Sequence, residues 1–147
     1  MSLLSVWLHV LGMTAWIGGL AYQSLVVLPE ARRSSDARVF VEIARRGRLL
    51  SWGAACLVVL TGFYNVTRLG PLDRVMATGA ALVLASKFVL VLGMISLAAQ
   101  RDFGQVPRLA RDGSAAALTA IAWLDRILLV LAVVVIFLGV AVARLAR

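Results

Sequence analysis

The chain has one histidine and one lysine, and both fall inside long apolar runs. A polar group in hydrocarbon is costly, so each needs a reason. His9 lies in the first run. A neutral imidazole in an apolar helix bundle can ligate a metal ion or a heme iron. Lys87 lies near the centre of the third run, where a charged side chain costs on the order of 3 kcal/mol. Such a lysine is neutral, snorkels outward, or takes its counter-charge from a bound ligand. The nearest carboxylate, Asp125, is expected about 12–14 Å away along the membrane normal, at ~1.5 Å per residue.

The soft ligands come next. Met13 follows His9 by one helical turn, which makes a half-site for cuprous copper. Cys56 and Met94 form a second soft pair at similar depths, roughly 10 Å or more from the first along the normal. The two pairs suit a relay rather than one site. Cys56 is the only cysteine. It excludes an internal disulfide and a multi-cysteine metal cluster, and its position in an apolar run suggests a buried, inert thiol. No Ser-His-Asp set or paired carboxylates support hydrolysis; other enzymatic activity stays open.

The element that carries His9 is informative in itself. Ser5, His9, Gly12, Trp16, Gly19 and Gln23 recur at 4-3-4-3-4 spacing, one face of a helix. Small and polar groups on one face point it into a bundle. The bland counterpart is a packing seam with a hydrogen-bonded histidine. Lys87 has its own small-residue stripe, Gly79, Ser86 and Gly93. On depth, His9 sits roughly 9 Å and Lys87 roughly 16 Å below the same membrane edge, a difference of about one lysine side chain. Both could serve one site in that half of the bundle. Thr61 can bond a carbonyl of its own helix and needs no further role. Arg48 and Asp125 share the opposite end and are expected to pair.

Hydropathy supplies the scaffold. Of 147 residues 62% are hydrophobic and 15% charged, with a mean hydropathy of +0.95. Lipid must be the solvent. The fold class is all-α: one domain, 1–147, of four transmembrane helices at about 3–28, 49–67, 76–99 and 118–143. Pro29 closes the first. The connection 30–48 carries Ala37, Phe40, Val41 and Ala44 at helical spacing, which suggests an amphipathic helix on the membrane surface. A Gly70-Pro71 turn joins the second and third spans. Ser114 is placed to cap the last helix.

The net charge is +8. Fourteen of the fifteen basic residues are arginine and gather in connections and at span ends, as topology signals do, so nucleic acid is not an expected partner. Nine arginines in the first and third connections face four in the second connection and tail. That asymmetry puts both termini outside. Trp7, Trp52 and Trp123 fall near span ends; Trp16 lies deep in the first. The run before Pro29 lacks a basic leader and is expected to be retained.

The stretch LHVLGMTAWIGGLAYQSLVVLP resembles the first helix of the copper-resistance protein D (CopD) domain family, in which a histidine is followed by tryptophan seven residues on and by a glycine pair. His9, Trp16, Gly18 and Gly19 occupy those places. Arg48, Thr61-Gly62, Lys87 in ASKFVLVLGMISLA, and LDRILLVLAVVVIFLG fit the later helices. The resemblance implies a four-helix membrane fold and copper resistance. The first helix also resembles, more distantly, the HemJ-type protoporphyrinogen oxidases, which bind heme b through a first-helix histidine. The later histidines and an Asn-Glu-Pro element of that enzyme are absent here, so oxidase activity does not follow.

Three functions are open at this point. The first is heme b or a porphyrin held through His9, with Gly12 and Gly19 making room, Trp16 stacking and Lys87 meeting a propionate. The second is copper transport or resistance through His9 and Met13. The third is an accessory subunit of a larger membrane complex. Beyond the lipid bilayer, a homodimer or a larger membrane complex is compatible with the small-residue faces.

Overall fold

The computed structural model describes residues 2–68 and 79–145. The expected Gly70-Pro71 turn, Arg74, the start of the third span at Met76, and Arg147 lie outside the described residues. Apart from short turns such as 34–37 and 113–114, the described residues are helical. We label the elements α1 (Leu3–Tyr22), α2 (Leu28–Arg33), α3 (Arg38–Val66), α4 (Ala80–Ala99), α5 (Val106–Asp112) and α6 (Ala115–Leu145), with π-helical turns at Gln23–Val27 and Gln100–Gln105. Among the described residues, four continuous segments are long and apolar enough to cross a membrane: Leu3–Arg33, Arg38–Val66, Ala81–Asp112 and Ala115–Arg144.

These segments overrun the ends expected from hydropathy. The first helix does not stop at Pro29. Proline lacks an N–H and clashes with the carbonyl four residues back, so a plain α-helix would break there. The π-turn solves this locally: the Leu28 N–H donates to the Gln23 carbonyl, five residues back, and Pro29 then starts α2. The third segment repeats the device. The Val106 N–H donates to the Arg101 carbonyl, and Pro107 opens α5. Ser114 caps α6, with its hydroxyl accepting from the Ala117 N–H at 3.2 Å.

The connection 30–48 is not a surface helix. From Arg38 onward it is the first part of α3. Its apolar side is real, but it covers the bundle instead of lipid. Phe40, Val41 and Ala44 are buried against Leu28 and Ala31 of α2, Val106 and Leu109 of α5, and Ala117 and Ile121 of α6. A second buried cluster holds the middle of the bundle: Trp16, Ala54, Ala55, Met94, Ala98, Leu128, Ala132 and Val135.

The bundle is two helix pairs. α1 packs chiefly on α3, and α4 chiefly on α6. Gly12 permits the first pairing: a Cβ there would meet Val58 Cγ2 at 3.0 Å and the Ala54 carbonyl oxygen at 3.2 Å. A methyl group would force backbone apart, so the small residue sets the approach. Elsewhere large apolar side chains face outward, among them Leu3, Leu49, Leu82 and Phe137. Such a surface is stable only in lipid.

Candidate functional site

The interior face of α1 is largely as its spacing implies. Ser5, Gly12, Trp16 and Gln23 are buried, His9 is half-buried and Gly19 is exposed. Ser5 fastens one end of the α1–α3 seam by donating from its hydroxyl to Asn65 Oδ1 at 2.6 Å.

His9 is held by α3. Its Nδ1 lies 2.9 Å from Thr61 Oγ1. The Thr61 hydroxyl has only one proton, and it is directed to the Leu57 carbonyl oxygen at 2.5 Å. Thr61 must therefore accept from His9, which puts the imidazole proton on Nδ1. The Nε2 lone pair is left bare, the state in which histidine binds a metal. Gly62 completes the seat, since a Cβ at this position would meet His9 Cε1 at 3.1 Å. Thr61 thus has a role beyond satisfying its own helix. The sequence signal was the Thr61-Gly62 pair: a small residue beside a hydroxyl, in the helix that packs on His9.

Lys87 reaches the site from the other helix pair. Its Nζ rests beside Gly139 of α6, where a Cβ would stand 3.3 Å away. No ion pair to Lys87 is present among the described residues. His9, Met13, Trp16, Gly62, Lys87 and Met94 line one cavity of about 70 Å³ between the two pairs. A wider groove of about 550 Å³ adjoins it, sharing His9, Met13 and Lys87 and adding Asn65, Gly139 and Arg144.

Two soft residues separate. Met94 is buried and faces the cavity, whereas Cys56 is exposed on the outside of α3. The expected Cys56–Met94 pair is therefore not formed, because the two side chains leave their helices in different directions. Met94 instead lines the cavity that His9 and Met13 also line. Gly12 and Gly19 do not open onto either space: Gly12 is filled by α3, and Gly19 has nothing within 4 Å of a Cβ position. Gly12 therefore leaves no room for a macrocycle, while the open space beside Gly19 lies on the outside of α1, away from both lining sets. Among the described residues, no three His, Cys, Asp or Glu side chains cluster.

The other end of the bundle carries a buried charge cluster, and it differs from the expected Arg48–Asp125 pair. Asp125 is fully buried and pairs with Arg101, whose Nε donates to Oδ1 at 2.5 Å. Arg101 also donates from Nη1 to Asp102 Oδ1 at 2.6 Å and from Nη2 to Gln23 Oε1 at 2.8 Å. Trp52 donates from Nε1 to Asp102 Oδ2 at 3.0 Å. Arg48 bonds the Asp102 carbonyl at 2.8 Å and stacks over Phe103. Arg101 and Asp102 sit in a π-turn rather than a loop, and that turn carries both inward. The cluster ties α1, α3, α4 and α6 together and leaves the His9 cavity without a carboxylate among its lining residues.

The family model for copper resistance protein D matches residues 41–143, from the first turns of α3 nearly to the end of α6. The chain belongs to the copper resistance protein D family. The CopD match takes in Thr61, Lys87 and Met94, while His9 and Met13 precede it. Together with the four spans, it makes this CopD chain a multi-pass inner-membrane protein. No curated protein and no solved structure matches the chain.

Proposed function

We propose that this CopD chain takes up cuprous copper as cargo in the cavity between its helix pairs, with His9 Nε2 and Met13 as the donors and Met94 as a further thioether along the same cavity. The observation that carries the reading is His9, bonded through Nδ1 to Thr61, lining one small cavity with two thioethers. Imidazole and thioether suit Cu(I), which favours soft donors and low coordination numbers. A volume of about 70 Å³ corresponds to roughly two waters of liquid. It admits an ion and excludes a macrocycle. Lys87 opposes this reading when charged, because an ammonium repels a cation. The position of Nζ at Gly139, on the groove side, supports a role for Lys87 at the mouth of the cavity rather than in the donor set.

A second reading rests on that same lysine. The adjoining groove is about 550 Å³, within the roughly 300–1,000 Å³ of small-molecule sites. A cation without a carboxylate partner among the described residues suits an acidic ligand there. Heme b or another porphyrin, with a propionate on Lys87 and its iron on His9, is such a ligand. Gly12 and Gly19 would take no part.

One preparation separates the two. Purified protein is titrated anaerobically with Cu(I) against a chromophoric chelator, and its absorption spectrum is recorded with and without added hemin. Copper cargo requires near one equivalent bound, lost in His9→Ala and weakened in Met13→Leu and Met94→Leu. Affinity unchanged in both methionine variants overturns the donor set. A Soret band lost in His9→Ala and shifted in Lys87→Met establishes the porphyrin reading. A stable protein that binds neither and co-purifies with a larger assembly assigns the chain to an accessory role.

A further inference from the structure

A polar cavity outside the His9 site lies at the opposite, arginine-rich end. It is about 540 Å³ and is formed where α2, the 34–37 turn and the start of α6 meet. Arg32, Ser35, Thr119, Trp123 and Arg126 are among its lining residues, and no carboxylate is. Arg32 is held in place by donating from Nη2 to the Leu118 carbonyl oxygen at 3.2 Å, which leaves its other N–H groups free to bind. Arg126 is stacked over Trp123, its guanidinium carbon 5.4 Å from the ring centroid. Gly113 and Ala115 bring the N-terminal end of the 31-residue α6, where helix dipoles favour negative charge, to the cavity wall.

What distinguishes this cavity from a solvated basic patch is its continuation. Trp123, Ile127, Val130, Val134 and Phe137 follow one another at 4-3-4-3 spacing along α6, and all are exposed. They form one apolar lane that starts at the cavity. The lane is about 21 Å long at ~1.5 Å per residue, more than the roughly 15 Å depth of one leaflet. A ligand with an anionic head and a long apolar tail satisfies both parts at once.

We propose that the cavity between α2 and α6 binds the phosphate headgroup of an anionic phospholipid, with an acyl chain along the Trp123–Phe137 lane. The two guanidiniums supply charge-assisted hydrogen bonds to phosphate oxygens. Ser35 and Thr119 offer neutral donors beside them. Trp123 sits where the head gives way to the tail, the usual place of an interfacial tryptophan. The site is independent of the copper reading and shares no lining residue with it.

The experiment is native mass spectrometry of the purified full chain with phosphatidylglycerol, phosphatidylcholine or inorganic phosphate. Phosphatidylglycerol should stay bound under conditions that strip phosphatidylcholine. Each arginine should be worth about fivefold in affinity, so Arg32→Gln with Arg126→Gln weakens binding roughly 30-fold. Arg45→Gln with Arg108→Gln removes as much charge from exposed positions away from the cavity and should leave binding unaltered. If the first pair fails to fold, Arg126→Gln alone keeps the fivefold readout, since its recorded contact is the Trp123 ring. Equal retention of both lipids, or equal weakening by the two double variants, overturns the site. Displacement of phosphatidylglycerol by millimolar inorganic phosphate overturns the lipid assignment, because the acyl lane would then contribute nothing.

Discussion

Replacing Thr61 by valine keeps the shape of the side chain and removes the hydroxyl that His9 bonds. In the native protein the Nδ1–H of His9 donates to Thr61 Oγ1 at 2.9 Å, and the Thr61 hydroxyl donates to the Leu57 carbonyl oxygen. Valine accepts nothing. The imidazole then gains little by keeping its proton on Nδ1, and the other tautomer, which blocks Nε2, becomes competitive. A net hydrogen bond is worth about 0.5–1.5 kcal/mol, or roughly two- to twelvefold in affinity. Loss of the partner that orients a metal-bound histidine costs about 10- to 100-fold. The two ranges meet near tenfold, which is the weakening we expect for Cu(I). The assay is chelator competition under anaerobic conditions, with thermal unfolding in parallel. Thr61→Ser retains the hydroxyl and should bind within a few-fold of the native protein. Two results would refute the reasoning: a Thr61→Val protein with native affinity, or a Thr61→Ser protein as weak as Thr61→Val.

Other outcomes follow from the same geometry. Gly62→Ala places a methyl 3.1 Å from His9 Cε1; overpacking of about 1–3 kcal/mol should lower copper affinity, while Gly18→Ala, with open space around it, should not. Asp125→Ala removes one of the two buried carboxylates that Arg101 bonds, leaving Asp102, and should destabilise the bundle by about 1.5–3 kcal/mol, as for a lost charge-assisted hydrogen bond, seen as a lower unfolding midpoint with unchanged copper affinity. For orientation, in a protein whose exposed Cys56 has been replaced by alanine, a cysteine at Ser2 should react with an impermeant thiol reagent added from outside and one at Ser34 should not, as the arginine distribution implies. The opposite labelling pattern would reverse the topology.

Hydropathy made the four spans legible because lipid imposes long apolar runs that nothing else requires. It did not give their ends. The ends lie in protein, where Phe40 and Ala44 are buried by α5 and α6 rather than by lipid, and amphipathic spacing is the same in both cases. Arg101 and Asp102 were illegible for a related reason. Gln-Arg-Asp-Phe-Gly before a proline has the composition of a loop, and only the three-dimensional path of the π-turn brings the arginine to Asp125. At the candidate site, the face of α1 and the depth of Lys87 could be read because few polar groups compete for notice in an apolar helix. Depth alone pairs Met94 with Cys56, because a methionine in an apolar run gives no sign of which side it faces. Thr61 was discounted because its bond to Leu57 was foreseen and its second bond, to His9, was not.

Each π-turn amounts to one residue added to an otherwise α-helical rod, and one residue is about 100° of rotation at 3.6 residues per turn. Removing any single residue between Gln23 and Val27 would close that turn and swing α2 by this angle. Leu28 and Ala31 would leave Phe40, and Pro29 would fall against a carbonyl that now needs an N–H. The same holds for Gln100–Gln105, where a deletion would also turn Arg101 away from Asp125. Length changes in this chain are therefore sorted by position. An extra residue between Arg33 and Arg38, where no helix is in progress, alters only a turn. At the two π-turns the residue count decides which side of a helix faces inward, and insertions and deletions there should be lethal to the fold.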